Sequence, residues 1–211
     1  MRVAVDMDGM IVCLYQAVIS LYGLPGNKLA HEITTGGSIA GVLVAHAQSA
    51  KSWSGKVACT NATEESVWDR VSSLPASWWA GLKPDPAGML LVAKLRARGV
   101  EVVPISQPLL LGRNDAGYGP SCEGKRKWME RNLPELASDL ILTAAKHKCA
   151  RPDTILVDDS PHQVEAWRTA GAPAVLWYQP WNRRSRSHLL DEHSRLLHLE
   201  AGRELPPDVG G

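Results

Sequence analysis

The sequence predicts an α/β protein: a parallel five-stranded sheet with helices on both faces, interrupted after its first strand by a mainly helical insertion. Three observations carry this expectation. From about residue 83 onward, short apolar runs alternate with segments of helical periodicity, which is the pattern of right-handed strand–helix–strand crossovers. Two of the runs, at residues 2–5 and 154–157, stop at acids, as strands do when they end at a polar site. Between residues 13 and 82 no convincing strand pattern occurs. The core is therefore assigned to residues 1–12 and 83–211 and a helical cap to residues 13–82. At 211 residues the chain fits one domain carrying a modest insertion.

Residues 2–5 read as a buried strand ending at Asp6. Residues 12–22 place Leu14, Val18, Leu21 and Tyr22 on one helical face, and Gly23 with Pro25 ends it. Residues 38–49, rich in Ala and Val, form another helix. Asn61 and Glu64 make a capping pair for a helix through Ser72. Pro75 opens a short helix bearing Trp78 and Trp79. Asp85 followed by Pro86 is an N-cap with proline in the first turn, and Gly99 closes that helix. Residues 101–105 are the second strand. Pro104 falls inside it, where a missing N–H is costly and a bulge would accommodate it. A helix over 122–132, a strand over 139–142 and a strand over 154–157 follow. Ser160, Pro161 and Gln163 form a capping box for a helix to about Ala170, with Gly171 beyond it. Residues 174–177 are the fifth strand. A last helix shows Leu189, His193, Leu196 and Leu197 on one face, and a loose tail starts at Leu205.

Composition excludes several classes of function. Lys plus Arg is 23 and Asp plus Glu is 22, so the net charge of +1 gives no pull toward nucleic acid. The Arg183, Arg184 and Arg186 cluster reads as a solvated turn. Apolar content of 45% with 21% charged residues suits a globular protein. No apolar run approaches the ~18 residues a membrane helix needs. The N-terminus lacks the stretch of a signal peptide, so the expected location is the cytoplasm, with no membrane partner. Cys13, Cys59, Cys122 and Cys149 lie far apart and read as reduced thiols. The seven histidines show no H-x-x-x-H pair. Aromatic usage is unusual, with eight Trp, four Tyr and no Phe.

The chemistry lies at the strand ends. Asp6-Met7-Asp8-Gly9 follows the first strand. Two carboxylates at this spacing can divide the work, one attacking or binding metal and one moving protons, while Gly9 lets the chain turn sharply. Asp158-Asp159 is a second acid pair at another strand end. Adjacent carboxylates repel without a cation, so the four acids point to a hard divalent ion held by oxygen, Mg²⁺. Ser106-Gln107-Pro108 follows the second strand and offers a hydroxyl and backbone N–H groups to phosphate oxygens. Lys146 or Lys148, on the loop after the third strand, could neutralise phosphate charge. Trp78 and Trp79 stand where the cap rejoins the core, and Tyr15 lies on the helix leaving the catalytic strand; all three are candidates to stack on a base. The segment 177–182, after the fifth strand, lies near the edge of the site.

These elements, in this order, resemble the haloacid dehalogenase superfamily of phosphohydrolases over residues 2–12 and 82 to about 182. More closely, they resemble the 5′(3′)-deoxyribonucleotidases. Val5-Asp6-Met7-Asp8-Gly9 is similar to that family's V-D-M-D-G start, and Ile105-Ser106-Gln107-Pro108 to its T-S-P. Cys122 to Trp128, with Lys125 three residues before the Trp, is similar to its C-x-x-E-K-x-x-W region. Ile141 to Lys146 is similar to its L-T-R-D-K, and Leu156 to Pro161 to its L-I-D-D-x-P. The resemblance implies a Rossmann-like core with strand order 3-2-1-4-5, which sets Asp6 beside Asp158 at the switch point. It implies a nucleophilic Asp6 and an acid/base Asp8. It implies phosphate contacts from Ser106, Gln107, Lys146 and Lys125, and Mg²⁺ at Asp6, the Asp8 carbonyl, Asp158 and Asp159. Gln107 stands where the family has a second hydroxyl. Lys146 keeps the family spacing from Thr143 and Lys148 the spacing to Asp158; Lys146 is favoured. The implied activity is Mg²⁺-dependent hydrolysis of (deoxy)nucleoside monophosphates through an aspartyl-phosphate. The alternatives are another small phosphate ester, a polynucleotide phosphate end, or a binding scaffold without catalysis. The implied partner is a small nucleotide, not nucleic acid, and a homodimer is compatible with the sequence.

Overall fold

A computed structural model describes residues 1–21, 64–109, 119–179, 182, 186–201 and 203. Strand β1 (Arg2–Asp6) leads through a tight loop into helix α1 (Leu14–Leu21). Helices α2 (Glu64–Ser72), α3 (Ala76–Ala80) and α4 (Pro86–Ala97) follow, then strand β2 (Glu101–Ser106) and helix α5 (Pro120–Asn132). A 3₁₀ turn (Pro134–Asp139), strand β3 (Ile141–Leu142) and a second 3₁₀ turn (Lys146–Cys149) lead to strand β4 (Thr154–Asp158). Helix α6 (Pro161–Thr169), strand β5 (Ala174–Leu176) and helix α7 (Arg186–Glu200) complete the described chain.

The five strands form one parallel sheet in the order β3-β2-β1-β4-β5, as the sequence leads one to expect. β1 is central and almost wholly buried, which is why its sequence is a continuous apolar run rather than an alternating one. The larger core cluster joins Val3, Val5, Val102 and Val157 of the sheet to Leu14, Val18, Val67, Val71 and Trp79 of the helices after β1. A smaller cluster on other sheet residues gathers Ala4, Ile105, Leu156, Val164 and Trp167. The described helices of the expected cap therefore pack into the same core as the sheet. The expected helix at 38–49 and the Asn61 cap lie outside the described residues, as does Cys59. Among the described residues Cys13, Cys122 and Cys149 are free thiols. No helix among them is long and apolar enough to cross a membrane.

Three local expectations need correction. Pro104 causes no bulge: residues Arg2 to Asp6 pair one for one with Glu101 to Ile105. The Ser106 carbonyl accepts from Thr143 N, so the polar groups of Ser106 face β3. Alternation puts the donor-less nitrogen of Pro104 on that same side, before β3 begins at Ile141, where no ladder bond is lost. Ser160 occupies the N-cap of α6 but its hydroxyl makes no capping bond. The Asp158 carboxylate accepts from the Ser160 N–H instead, at 2.8 Å. On α7 the buried stripe runs through Arg195 and Leu199, while His193 and Leu197 are exposed. Arg195 donates to the Ala174 carbonyl, so a long charged side chain takes the place of the expected leucine. By contrast, the Asp85 cap of α4 is present, accepting from Ala87 N at 2.9 Å and Gly88 N at 3.1 Å.

Candidate active site

The carboxyl ends of β1, β2 and β4 converge, and the side chains leaving them line a cleft of about 250 Å³. Its walls are Asp6, Asp8, Lys146, Asp158, Asp159, Ser160, Gln107 and Gln163 on the polar side, and Leu14, Tyr15, Trp68 and Leu109 on the apolar side. This is the crevice where open parallel sheets bind ligands, because strand order reverses around β1.

The loop after β1 is built to hold two acids. The Met7 carbonyl accepts from Ile11 N at 3.1 Å and Val12 N at 2.9 Å, closing the loop on itself. Cys13 N donates to the Lys83 carbonyl and Asp85 N to the Ile11 carbonyl, which pins the loop to the start of α4. Gly9 has φ of 77°, and a Cβ there would overlap the Asp159 carboxylate. Glycine is therefore required twice over, by backbone conformation and by the approach of the second acid pair.

Two lysines organise the acids. Lys146 Nζ donates to Asp6 Oδ1 at 2.6 Å and to Asp158 Oδ2 at 2.7 Å, so it joins β1 to β4. Lys148 is exposed, whereas Lys146 lines the cleft. Lys125, from α5, donates to Asp8 Oδ2 at 2.5 Å, to Ser106 Oγ at 2.8 Å and to the Gln107 carbonyl at 2.8 Å. It also lies 5.6 Å from the centre of a Trp79 ring. Ser106 Oγ is 3.4 Å from Asp8 Oδ2. Ser106 and Lys125 thus sit behind Asp8 and are not part of the cleft lining. All three hydrogens of Lys125 have protein acceptors in this arrangement.

The electrostatics are those of crowded, dry carboxylates. Burial, with Asp158 and Asp8 adding to it, pushes the Asp6 carboxyl up to about 7 against the pull of Lys146. Burial opposes the Lys146 ammonium, but Asp6 and Asp158 outweigh it and hold its pKa above the usual lysine range. Burial, with Asp159 and Asp8 next, pushes the Tyr15 hydroxyl well above its ordinary value. Asp8 Oδ1 is buried and has no hydrogen-bond partner among the described residues.

Oxygens of Asp6, Asp158 and Asp159 lie within 4.8 Å of one another. An all-carboxylate donor set of this kind suits Mg²⁺ or Ca²⁺ and not a soft metal. The loop after β5 supports it from behind. Asn182 Nδ2 donates to the Asp159 and Trp177 carbonyls, its Oδ1 accepts from Gln179 N at 3.0 Å, and Gln179 Nε2 donates to the Gly9 carbonyl.

The structure divides the expected aromatic residues. Tyr15 lines the cleft. Trp79 is buried against α5, where a Cβ on Gly124 would overlap its side chain, and it offers no open face. Trp78 lines a different hollow, with Cys13, Gln16 and Lys83. Neither Trp therefore lines the cleft; its aromatic side chains are Tyr15 and Trp68, whose rings meet edge to face at 6.5 Å. Trp68 was missed because a single Trp on a helical pattern reads as packing. Gln163 was missed because its spacing from Ser160 reads as a capping box. Its amide instead donates to Gln107 Oε1 at 3.0 Å.

No family model and no curated protein sequence matches the chain. Among solved structures, a protein assigned as a phosphoglycolate phosphatase from Lactobacillus delbrueckii subsp. bulgaricus is similar. The alignment covers 95% of this chain and 97% of that one, at 17% identity and a TM-score of 0.54. A protein assigned as a β-phosphoglucomutase from Thermotoga maritima covers 91% of each chain at 17% identity, with a TM-score of 0.43. CbbY from Rhodobacter sphaeroides, in complex with phosphate, covers 88% of this chain and 89% of its own at 12% identity, with a TM-score of 0.41. The last two are too loose to bear on the fold. The first, at its low identity, establishes the fold alone: this chain shares the architecture of that protein, a parallel sheet ordered 3-2-1-4-5.

Proposed function

We propose that the protein is a Mg²⁺-dependent phosphatase of the haloacid dehalogenase type, acting on (deoxy)nucleoside monophosphates. The observation that carries this reading is the pairing of two differently held carboxylates at the end of β1. Asp6 Oδ1 is bound by Lys146, which leaves Oδ2 to act as a nucleophile. Asp8 Oδ2 is bound by Lys125, which leaves the unpartnered Oδ1 to carry a proton. Asp6 attacks phosphorus and a bond forms between its oxygen and the phosphoryl group. The bond to the leaving oxygen breaks, and Asp8 gives that oxygen its proton. Asp8 then takes a proton from water, the water oxygen attacks phosphorus, and Asp6 is released with inorganic phosphate. Asp6, Asp158 and Asp159 would hold Mg²⁺, which would supply charge compensation for the phosphate and keep Asp6 ionised near neutral pH.

The apolar wall of Leu14, Tyr15, Trp68 and Leu109 supports a planar leaving group such as a nucleoside. The cleft's size favours a second reading, a smaller phosphate ester, because about 250 Å³ lies below the ~300–1,000 Å³ of drug-sized ligand pockets. Phosphate release from nucleoside monophosphates, sugar phosphates, phosphoglycolate and a small aryl phosphate, each with Mg²⁺ or a chelator, tests both. Preference for nucleotides supports the first reading. Equal or better turnover of the smaller esters supports the second. Full activity in chelator removes the cation from the proposal.

A further inference from the structure

Binding a phosphate dianion requires hydrogen-bond donors, and four of the polar residues lining the cleft are carboxylates. Asp6, Asp8, Asp158 and Asp159 can only accept when ionised. Lys146 already donates to Asp6 and Asp158. Lys125 is saturated by Asp8, Ser106 and the Gln107 carbonyl. Among the described lining residues, Tyr15, Ser160, Gln163 and Gln107 carry neutral groups able to donate, and Gln107 is the one that directly follows β2.

A glutamine amide can present either its carbonyl or its NH₂ to a ligand. A half turn exchanges the two, and only one orientation suits an anion. In this structure the Gln107 carbonyl is taken: Gln163 Nε2, from the first turn of α6, donates to Gln107 Oε1 at 3.0 Å. Nothing among the described residues accepts from Gln107 Nε2. The Gln107 backbone cannot swing to compensate, because its own carbonyl accepts from buried Lys125.

Resting on the phosphatase reading above, we infer that Gln163 is a positioning residue that orients the Gln107 amide, so that Gln107 presents its NH₂ to a substrate phosphate oxygen. The two glutamines come from opposite sides of the crevice, one following β2 and one following β4. The donor is thus set only when both sides are in place.

The test is a double-mutant cycle on the full-length protein with Mg²⁺. It uses a small aryl phosphate as substrate and inorganic phosphate as competitive inhibitor. Gln163→Glu replaces a donor by an acceptor, so the Gln107 amide turns and offers its carbonyl to the cleft. The expected result is a rise of about tenfold in KM and in the inhibition constant for phosphate, the loss of one good hydrogen bond, with kcat changing much less. The added negative charge could weaken phosphate binding by itself. The same change is therefore made in a Gln107→Leu background, where no amide remains to turn. There the further loss should fall below about twofold. An equal loss in both backgrounds overturns the inference and leaves direct repulsion. A loss in kcat instead of KM also overturns it. Gln163→Met, uncharged and unable to donate, should give a smaller rise in KM; no rise overturns the inference. A wild type that neither hydrolyses the ester nor binds phosphate by calorimetry defeats the phosphatase reading, and the inference with it. Failure of the variants alone, with an active wild type, defeats only the inference.

Discussion

Lys146 and Lys125 are both buried, and each is bonded to a carboxylate at the end of β1 or just after it, yet they do different things. Lys146 is shared between two acids from two strands and borders the cleft. It is a counter-charge within reach of a ligand. Lys125 comes from a helix, spends every hydrogen on protein, and lies against Trp79 away from the cleft. It is a strut that fixes one oxygen of Asp8. The difference shows that a lysine's sequence position near a motif does not define its role. What defines it is the number of its hydrogens already satisfied and whether it borders open space.

The comparison can be broken or sharpened by substitution. The largest effect is expected at the acid Lys146 serves: Asp6→Asn should lower kcat by at least about 10³-fold, since an amide cannot form the phosphoenzyme. Turnover within tenfold of wild type in a phosphate-release assay would remove Asp6 as nucleophile. Lys146→Met should follow, lowering kcat by about 10²–10³-fold. It should also destabilise the metal-free protein by about 3–5 kcal/mol, because Asp6 and Asp158 are left facing each other unpaired. Chemical denaturation in chelator measures the second effect, and added Mg²⁺ should restore much of it. Lys125→Met should cost less, about 10–100-fold in kcat, as loss of a supporting contact does. If the two lysine variants behave alike in both assays, the distinction between counter-charge and strut fails.

Smaller effects test the walls and the charge. Tyr15→Ala and Trp68→Ala should each raise KM for a nucleoside monophosphate about tenfold and barely alter it for a small aryl phosphate. Trp78→Ala, in a separate hollow, should alter neither. The smallest effect is on thermal stability. The folded Asp6 pKa, at about 7, lies above the ordinary carboxylate value of 3.8. Its contribution is therefore complete below the unfolded pKa and is lost as pH rises through about 7. In chelator, Asp6→Asn should melt higher than wild type at pH 8, with about 2–4 °C expected per kcal/mol, and the gap should close toward pH 4. A gap that widens on acidification contradicts the raised pKa.

The strands and the acids at β1 and β4 were legible because each depends on local pattern, whereas the order of the sheet came with the family resemblance. An apolar run ending in carboxylates reads the same in any context. Lys146 was favoured over Lys148 through the family spacing from Thr143. The cleft's far wall was not. Trp68 and Gln163 reach the site through packing of α2 and α6, and their immediate neighbours carry no sign of it. Trp78 and Trp79 misled for the opposite reason: adjacent residues on a helix point about 100° apart, so both cannot face one cleft. The bonds of Lys125 to Asp8, Ser106 and the Gln107 carbonyl were not legible, because a motif records that a residue is needed but not which of its hydrogens are free. Pro104 was read as a defect because the length of its neighbour β3 could not be judged from sequence.

The bonds made by Asn182 and Gln179 have a consequence for motion. They tie the segment after β5 to the carbonyls of Asp159 and Gly9, which belong to the two acid loops. Edge strand β5 has three residues, the kind of short element from which opening starts. Yet its departure would free both acid loops at once. The last strand and the two acid loops are thus joined, and detachment of β5 would remove support from both loops together.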